Sequence, residues 1–110
     1  MPESFDRGAL TEAVYYVLLS LFKPNHGYGI MQKVEEMSSG RVKLGAGTLY
    51  GALNTLCAKK WIVPLNESAG TRKKEYIITD TGKQAVYDEI ARLKELAANG
   101  DKIIGEESLL

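Results

Sequence analysis

Cysteine is almost missing from this chain. Cys57 is the single one among 110 residues, so no disulfide can close within the chain and no cysteine cluster can hold a metal. His26 is the only histidine, which leaves the soft ligands well short of a structural zinc site. No metal and no cofactor are expected. Net charge is missing too: 14 lysines and arginines face 14 acids. No apolar run approaches the roughly 18 residues that cross a bilayer. Met1–Gly8 carries Glu3 and Asp6 and lacks the basic start and cleavage site of a secretory leader. These absences predict a cytoplasmic protein with no membrane partner. Enzymatic equipment is also absent: there is no nucleophile–base pair, no paired carboxylates and no phosphate loop, since no strand leads into Gly45-Ala46-Gly47. No catalytic residue is assigned.

What is present is an ordinary globular balance, 45% hydrophobic and 25% charged, which excludes a disordered chain and fits one small domain. The charge is unevenly placed. Between Gly40 and Glu75 lie seven basic residues (Arg41, Lys43, Lys59, Lys60, Arg72, Lys73 and Lys74) and two acids, leaving seven basic and twelve acidic residues elsewhere. Such a local patch can face phosphate, or can simply be a solvated face.

Leu10–Phe22 has helical periodicity with two apolar sides. Leu10, Ala13, Val14, Val17, Leu18 and Leu21 form one side; Tyr15, Leu19 and Phe22 form another, suited to a second subunit. Lys23–Gly27 is a turn, and Tyr28–Ser38 a second helix with Ile30, Val34 and Met37 inward and Gln32, Glu35 and Glu36 outward. Ser39-Gly40 ends it. A third helix is predicted over about Thr48–Lys59. Its inner stripe is Leu49, Ala52, Leu53 and Leu56; its outer face is Tyr50, Gly51, Asn54 and Ala58. That outer face is small and uncharged, where a solvated helix usually shows Lys and Glu. Trp61–Leu65 and Lys74–Ile78 are β-prone and make a hairpin, with Pro64 demanding an edge position. Thr79 is a good N-cap for a fourth helix running to about Ala97, ahead of Asn99-Gly100. Its stripe of Val86, Ile90, Leu93 and Ala97 fits an intersubunit seam, though packing on its own domain is the alternative. Asp101–Leu110 is an extra turn or a frayed tail.

The order helix, helix, helix, hairpin, helix is that of a winged helix-turn-helix: mainly α with a small β-hairpin, residues 1–80 forming the DNA-binding domain and 81–110 the C-terminal dimerisation helix and tail, as one structural unit. In such proteins the second helix of the motif enters the major groove, which here makes Thr48–Lys59 the recognition helix.

His26-Gly27-Tyr28-Gly29-Ile30, Gly47-Thr48-Leu49-Tyr50, Leu53 and Leu56, Trp61-Ile62, Arg72-Lys73-Lys74-Glu75-Tyr76 and Ile78-Thr79-Asp80-Thr81-Gly82 follow one another in this order. Together they resemble the PadR-like transcriptional regulators over about residues 10–98. The resemblance implies a dimeric regulator, usually a repressor, in the short-tailed branch with one C-terminal helix. It implies that Thr48 and Tyr50 start the recognition helix on its DNA side and that Arg72 and Lys73 form a basic wing. This chain has Gly51 where many members have proline. It has Leu93 where drug-responsive members of that branch place a tryptophan, so stacking of flat drugs there is not supported.

The DNA-facing candidates are therefore Tyr28, Gln32, Lys43, Thr48, Tyr50, Asn54, Arg72, Lys73 and Lys74. The dimerisation candidates are Tyr15, Leu19, Phe22, Val86, Ile90, Leu93 and Ala97. The expected partners are operator DNA, a second copy of the chain and, as a refinement, a small apolar ligand in the dimer cleft. The rival reading is a winged-helix protein–protein module that leaves DNA alone.

Overall fold

The computed structural model describes residues 9–65 and 74–108. Helix α1 (Glu12–Leu19) starts at Thr11, whose hydroxyl accepts the Val14 N–H at 3.1 Å. The apolar pattern runs on to Phe22, but the α-helix stops at Leu19. The N–H groups of Leu21 and Phe22 turn back to the carbonyls of Leu18 and Leu19, and the Leu21 carbonyl accepts the Ile78 N–H at 2.9 Å. A tertiary bond to a strand takes the place of the next helical one.

Asn25 and His26 then form β1, a two-residue strand inside the segment that sequence periodicity reads as a turn. Helices α2 (Gly27–Met37) and α3 (Ala46–Ala58) follow. Both end the same way. Ser39 and Lys60 take positive φ (54° and 66°), and the next N–H, of Gly40 or Trp61, reaches back to Glu35 O (2.8 Å) or Leu56 O (3.0 Å). This left-handed turn satisfies carbonyls that a helix end leaves open.

Strands β2 (Ile62–Leu65) and β3 (Glu75–Ile78) form the hairpin. The antiparallel order is β1-β3-β2, so the sheet has three strands, not two. Ile62 pairs with Ile78 and Leu65 with Glu75 on one side of β3, while Asn25 pairs with Tyr76 and His26 with Glu75 on the other. Pro64 lies on an edge strand, where its missing N–H costs no ladder bond.

Helix α4 spans Asp80–Ser108, 29 residues. Thr79 anchors its start: its hydroxyl accepts the Gly82 N–H (3.1 Å), and its backbone N–H donates to Trp61 O (2.9 Å). The end expected near Asn99-Gly100 is corrected, because the helix continues through it and Asp101–Ser108 is neither a separate turn nor a frayed tail. A helical glycine costs about 1 kcal/mol relative to alanine; it does not break a helix unless another turn competes. Ile103 and Ile104 fall at helical spacing from Leu96 and Gly100, extending the same apolar face.

The core joins Val17, Leu18 and Leu21 of the first helical segment with Ile30 and Val34 of α2 and Leu49, Leu53 and Leu56 of α3. Ile62, Tyr76 and Ile78 of the sheet and Val86 of α4 close it. The inner stripes read from periodicity are thus inward-facing, and the outer face of α3 is left free.

One acid is buried among these contacts. Glu89 receives two hydrogen bonds from Arg92, at 2.5 and 3.0 Å, and one from the Leu10 N–H at 3.3 Å. The Arg92 bonds hold the Glu89 carboxyl below its ordinary value; burial opposes them, and the Leu10 N–H adds to the lowering. A carboxylate whose folded pKa is depressed stabilises the fold above its unfolded pKa, and that contribution disappears as pH falls through the folded value. Glu89→Gln is therefore expected to cost roughly 1–3 kcal/mol at neutral pH. Its deficit against the parent should shrink below about pH 4. Urea denaturation at neutral and acid pH checks this, and a deficit that does not change with pH would exclude Glu89 as the titrating group.

Candidate nucleic-acid interface

The outer face of α3 is open. Thr48, Tyr50, Gly51, Asn54 and Thr55 are all exposed, because Leu49, Leu53 and Leu56 turn the opposite side into the core. Tyr50 and Asn54 are one helical turn apart on that face. No charge interrupts it from Ala46 to Ala58. The first turn of α3 has no acid and no side-chain cap: Gly45 holds the N-cap position. The leading N–H groups of this helix thus lack a side-chain acceptor.

Tyr50 is 47% exposed, and its hydroxyl end lies back against the α-carbon of Gly27, at the start of α2. Tyr28, beside it in sequence, is 64% exposed. Gln32, one turn further along α2, is exposed as well. The N-cap of α2 is His26, whose Nδ1 accepts the Gly29 N–H at 3.4 Å. His26 also pairs with Glu75 in β3, and the exposed Lys74 directly precedes Glu75. The Leu65–Glu75 end of the hairpin and the starts of α2 and α3 therefore meet at His26-Gly27, and Tyr28, Tyr50 and Lys74 are exposed around that junction.

The other cations divide. Lys43 is exposed, with its ammonium 4.0 Å from Glu35. Arg41 is tied to Glu12 at 2.5 Å, which raises the guanidinium pKa through that hydrogen bond first. Arg72 and Lys73 lie outside the described residues.

The glycines of the His26–Ile30 and Ile78–Gly82 blocks have a steric explanation. A Cβ on Gly29 would run into the Asn25 carboxamide oxygen, and one on Gly82 into the Trp61 carbonyl. Each marks a place where two segments touch through bare backbone.

Comparison with known proteins draws the same outline. The family model for the transcriptional regulator PadR-like family matches residues 16–95. The chain belongs to the PadR-like family of transcriptional regulators. A PadR family transcriptional regulator from Eggerthella lenta superposes with a TM-score of 0.69 at 22% identity, covering 94% of this chain and 85% of that one. Bacillus subtilis PadR, solved in complex with operator DNA, superposes at 0.60 and 24% identity, covering 73% of this chain and 46% of that one. At these identities the likeness is one of fold. A curated 37.1 kDa protein of transposon TN4556 in Streptomyces fradiae is 36% identical over 74 residues. The match takes in 67% of this chain but 20% of that protein, so the chain spans a fifth of its relative's length.

Members of the PadR-like family are transcriptional regulators rather than enzymes. Among the described residues, no helix is long and apolar enough to cross a membrane.

The residues read as dimerisation candidates separate into two groups. Val86 is 1% exposed within its own protomer and packs in its own domain, the alternative that periodicity left open. Tyr15, Leu19, Phe22 and Ile90 are half-buried against the same core, and Lys83 of α4 lies over the Phe22 ring at 5.6 Å. Leu93 and Ala97 are exposed, with Leu96 beside them on the same stripe, and so are Ile103 and Ile104, which lie beyond the helix end that periodicity predicts. The signal for Ile103 and Ile104 was the continuing helical spacing, hidden by a stop assigned at Asn99-Gly100.

Proposed function

We propose that the chain is a repressor that binds a palindromic operator as a homodimer, with α3 as the recognition helix in the major groove and the β2–β3 hairpin as a wing on the phosphate backbone. One observation carries the reading: an uncharged, small-faced helix is exposed beside the Leu65–Glu75 end of a hairpin that Lys74 leads into, both meeting at His26-Gly27. The major groove, about 12 Å wide, admits a helix closely when the helix face is small. Gly51 and Ala58 meet that demand, Asn54 brings hydrogen-bonding groups to base edges, asparagine suiting adenine, and the half-exposed Tyr50 side chain adds apolar contact beside it. The uncapped start of α3 offers its N–H groups to a phosphate. Lys74, with Arg72 and Lys73, supplies charge for further phosphates. Lys43 adds to it, and Tyr28 and Gln32 flank the recognition helix from α2.

The dimer is supported by the exposed Leu93, Leu96, Ala97, Ile103 and Ile104 stripe on α4, too apolar to suit solvent over so long a run. A two-fold pair would set its recognition helices about 34 Å apart, one helical turn of DNA. The α1–α4 groove of about 330 Å³ is bordered by Leu10, Tyr15, Tyr16 and Leu93 and by the charged Glu12, Glu89 and Arg92; a small, mainly apolar ligand there would act on that pairing and release the protein from DNA.

Tyr50→Ala is expected to weaken binding to the selected operator by about 1–3 kcal/mol with little change on random duplex. Lys73→Ala should weaken both alike and reduce the slope of log K against log salt by about 1. Titrations at several salt concentrations check both. A Tyr50→Ala variant that keeps the parent's preference for the operator would remove α3 as the reader.

A further inference from the structure

We propose that Gly27 is a positioning residue: its bare α-carbon is the seat for the Tyr50 hydroxyl, and this seat sets the angle of the recognition helix against the wing sheet. The functional consequence rests on the DNA-binding reading above; the packing claim stands without it.

Backbone conformation does not ask for glycine here. Positive φ is confined, among the described residues, to Ser39, Lys60 and Gly40. Gly27 opens α2, where alanine would be the better helix former. Space asks for it instead. Gly27 is buried, and a Cβ there would fall on the Tyr50 hydroxyl, 3.0 Å from its Cζ and 3.7 Å from Leu49 Cδ2. Both neighbours belong to the first two turns of α3. The obstacle is the tip of a stiff aromatic ring with two side-chain torsions, so either the ring swings or the helix shifts.

The place of this contact gives it a role. His26, the preceding residue, pairs with Glu75 of the hairpin and caps α2 through the Gly29 N–H. A helix carrying Tyr50, a helix starting at Gly27 and a sheet ending at His26 are thus registered against one another within two residues. Tyr50 is half-exposed, more than core packing requires, and its hydroxyl end is the part that meets Gly27.

The experiment is a set of four chains: the parent, Gly27→Ala, Tyr50→Ala and the double variant. Each is unfolded in urea with the fluorescence of Trp61, the single tryptophan, as the signal. Each is also titrated onto a duplex of about 30 base pairs that the parent selects from a random-sequence pool. Gly27→Ala alone should lower the urea midpoint and weaken binding about tenfold. In the Tyr50→Ala background the same change should leave the midpoint level or raise it, since only the helix preference of alanine remains. A tolerated Gly27→Ala in the parent, or an equal loss in both backgrounds, overturns the seat. A coupled loss of stability with unchanged affinity overturns the positioning role. If the parent selects no duplex, the DNA-binding reading fails instead, and the urea cycle still decides whether the seat exists.

Discussion

Leu96→Glu combined with Ile103→Glu is expected to yield a folded monomer whose affinity for the operator falls roughly 100-fold or more. The two side chains are 54% and 59% exposed in the protomer, and substitutions at such positions usually change protomer stability by no more than about 0.5 kcal/mol. The same carboxylates in an apolar seam would be desolvated without partners, which is costly. Two tethered recognition helices bind two half-sites far more strongly than either binds alone, so separating them weakens DNA binding without touching a DNA contact. Sedimentation equilibrium with a helicity measurement decides the matter. A variant that stays dimeric would move the interface off the distal half of α4.

Gly82→Ala is expected to destabilise the chain by about 1–3 kcal/mol, lowering the melting temperature by roughly 4–8 °C per kcal/mol in a domain of this size. Helix preference alone predicts the opposite sign, since Gly82 lies in the first turn of α4 and alanine gains about 1 kcal/mol in a helix interior. The loss comes from space: the new methyl would press into the Trp61 carbonyl, with Ile78 Cγ1 only 2.7 Å away. A backbone carbonyl cannot rotate aside, and this one already accepts the Thr79 N–H at 2.9 Å. Thermal melting of the single variant is sufficient, and a raised melting temperature would disprove the contact.

The fold was largely readable because most of its elements carry their own periodicity. Leu49, Leu53 and Leu56 announce a helix with one buried side, and Pro64 announces an edge strand. What was not readable depends on partners distant in sequence. Asn25 and His26 become a strand only because Tyr76 and Glu75 lie alongside, and two residues have no period of their own. Leu21 leaves the helical pattern because Ile78 uses its carbonyl. Val86 shows the limit of stripes in general: a stripe says that something apolar covers it, not whether the cover is its own chain or another. Asn99-Gly100 reads as a stop because glycine is a poor helix former, yet nothing in the fold offers the chain a better path there. In the candidate interface, the exposed face of α3 was legible from composition, and Arg72 and Lys73 fall outside the described residues. The purpose of Gly27 was not legible, because its motif is visible in sequence while its neighbour, Tyr50, arrives only through the packing of α2 on α3.

Because α4 is one uninterrupted rod, about 43 Å long at the usual rise per residue, its two ends are geared together like points on a screw. Each residue advances the thread by about 1.5 Å and turns it about 100°. A single residue inserted between Tyr87 and Leu93 would swing Leu96 and Ile103 a quarter-turn or more away from their present azimuth. Four would return them to within about 40° while carrying them about 6 Å farther out. In the proposed dimer, the spacing between operator half-sites is written in helical phase and changes only in steps the thread allows.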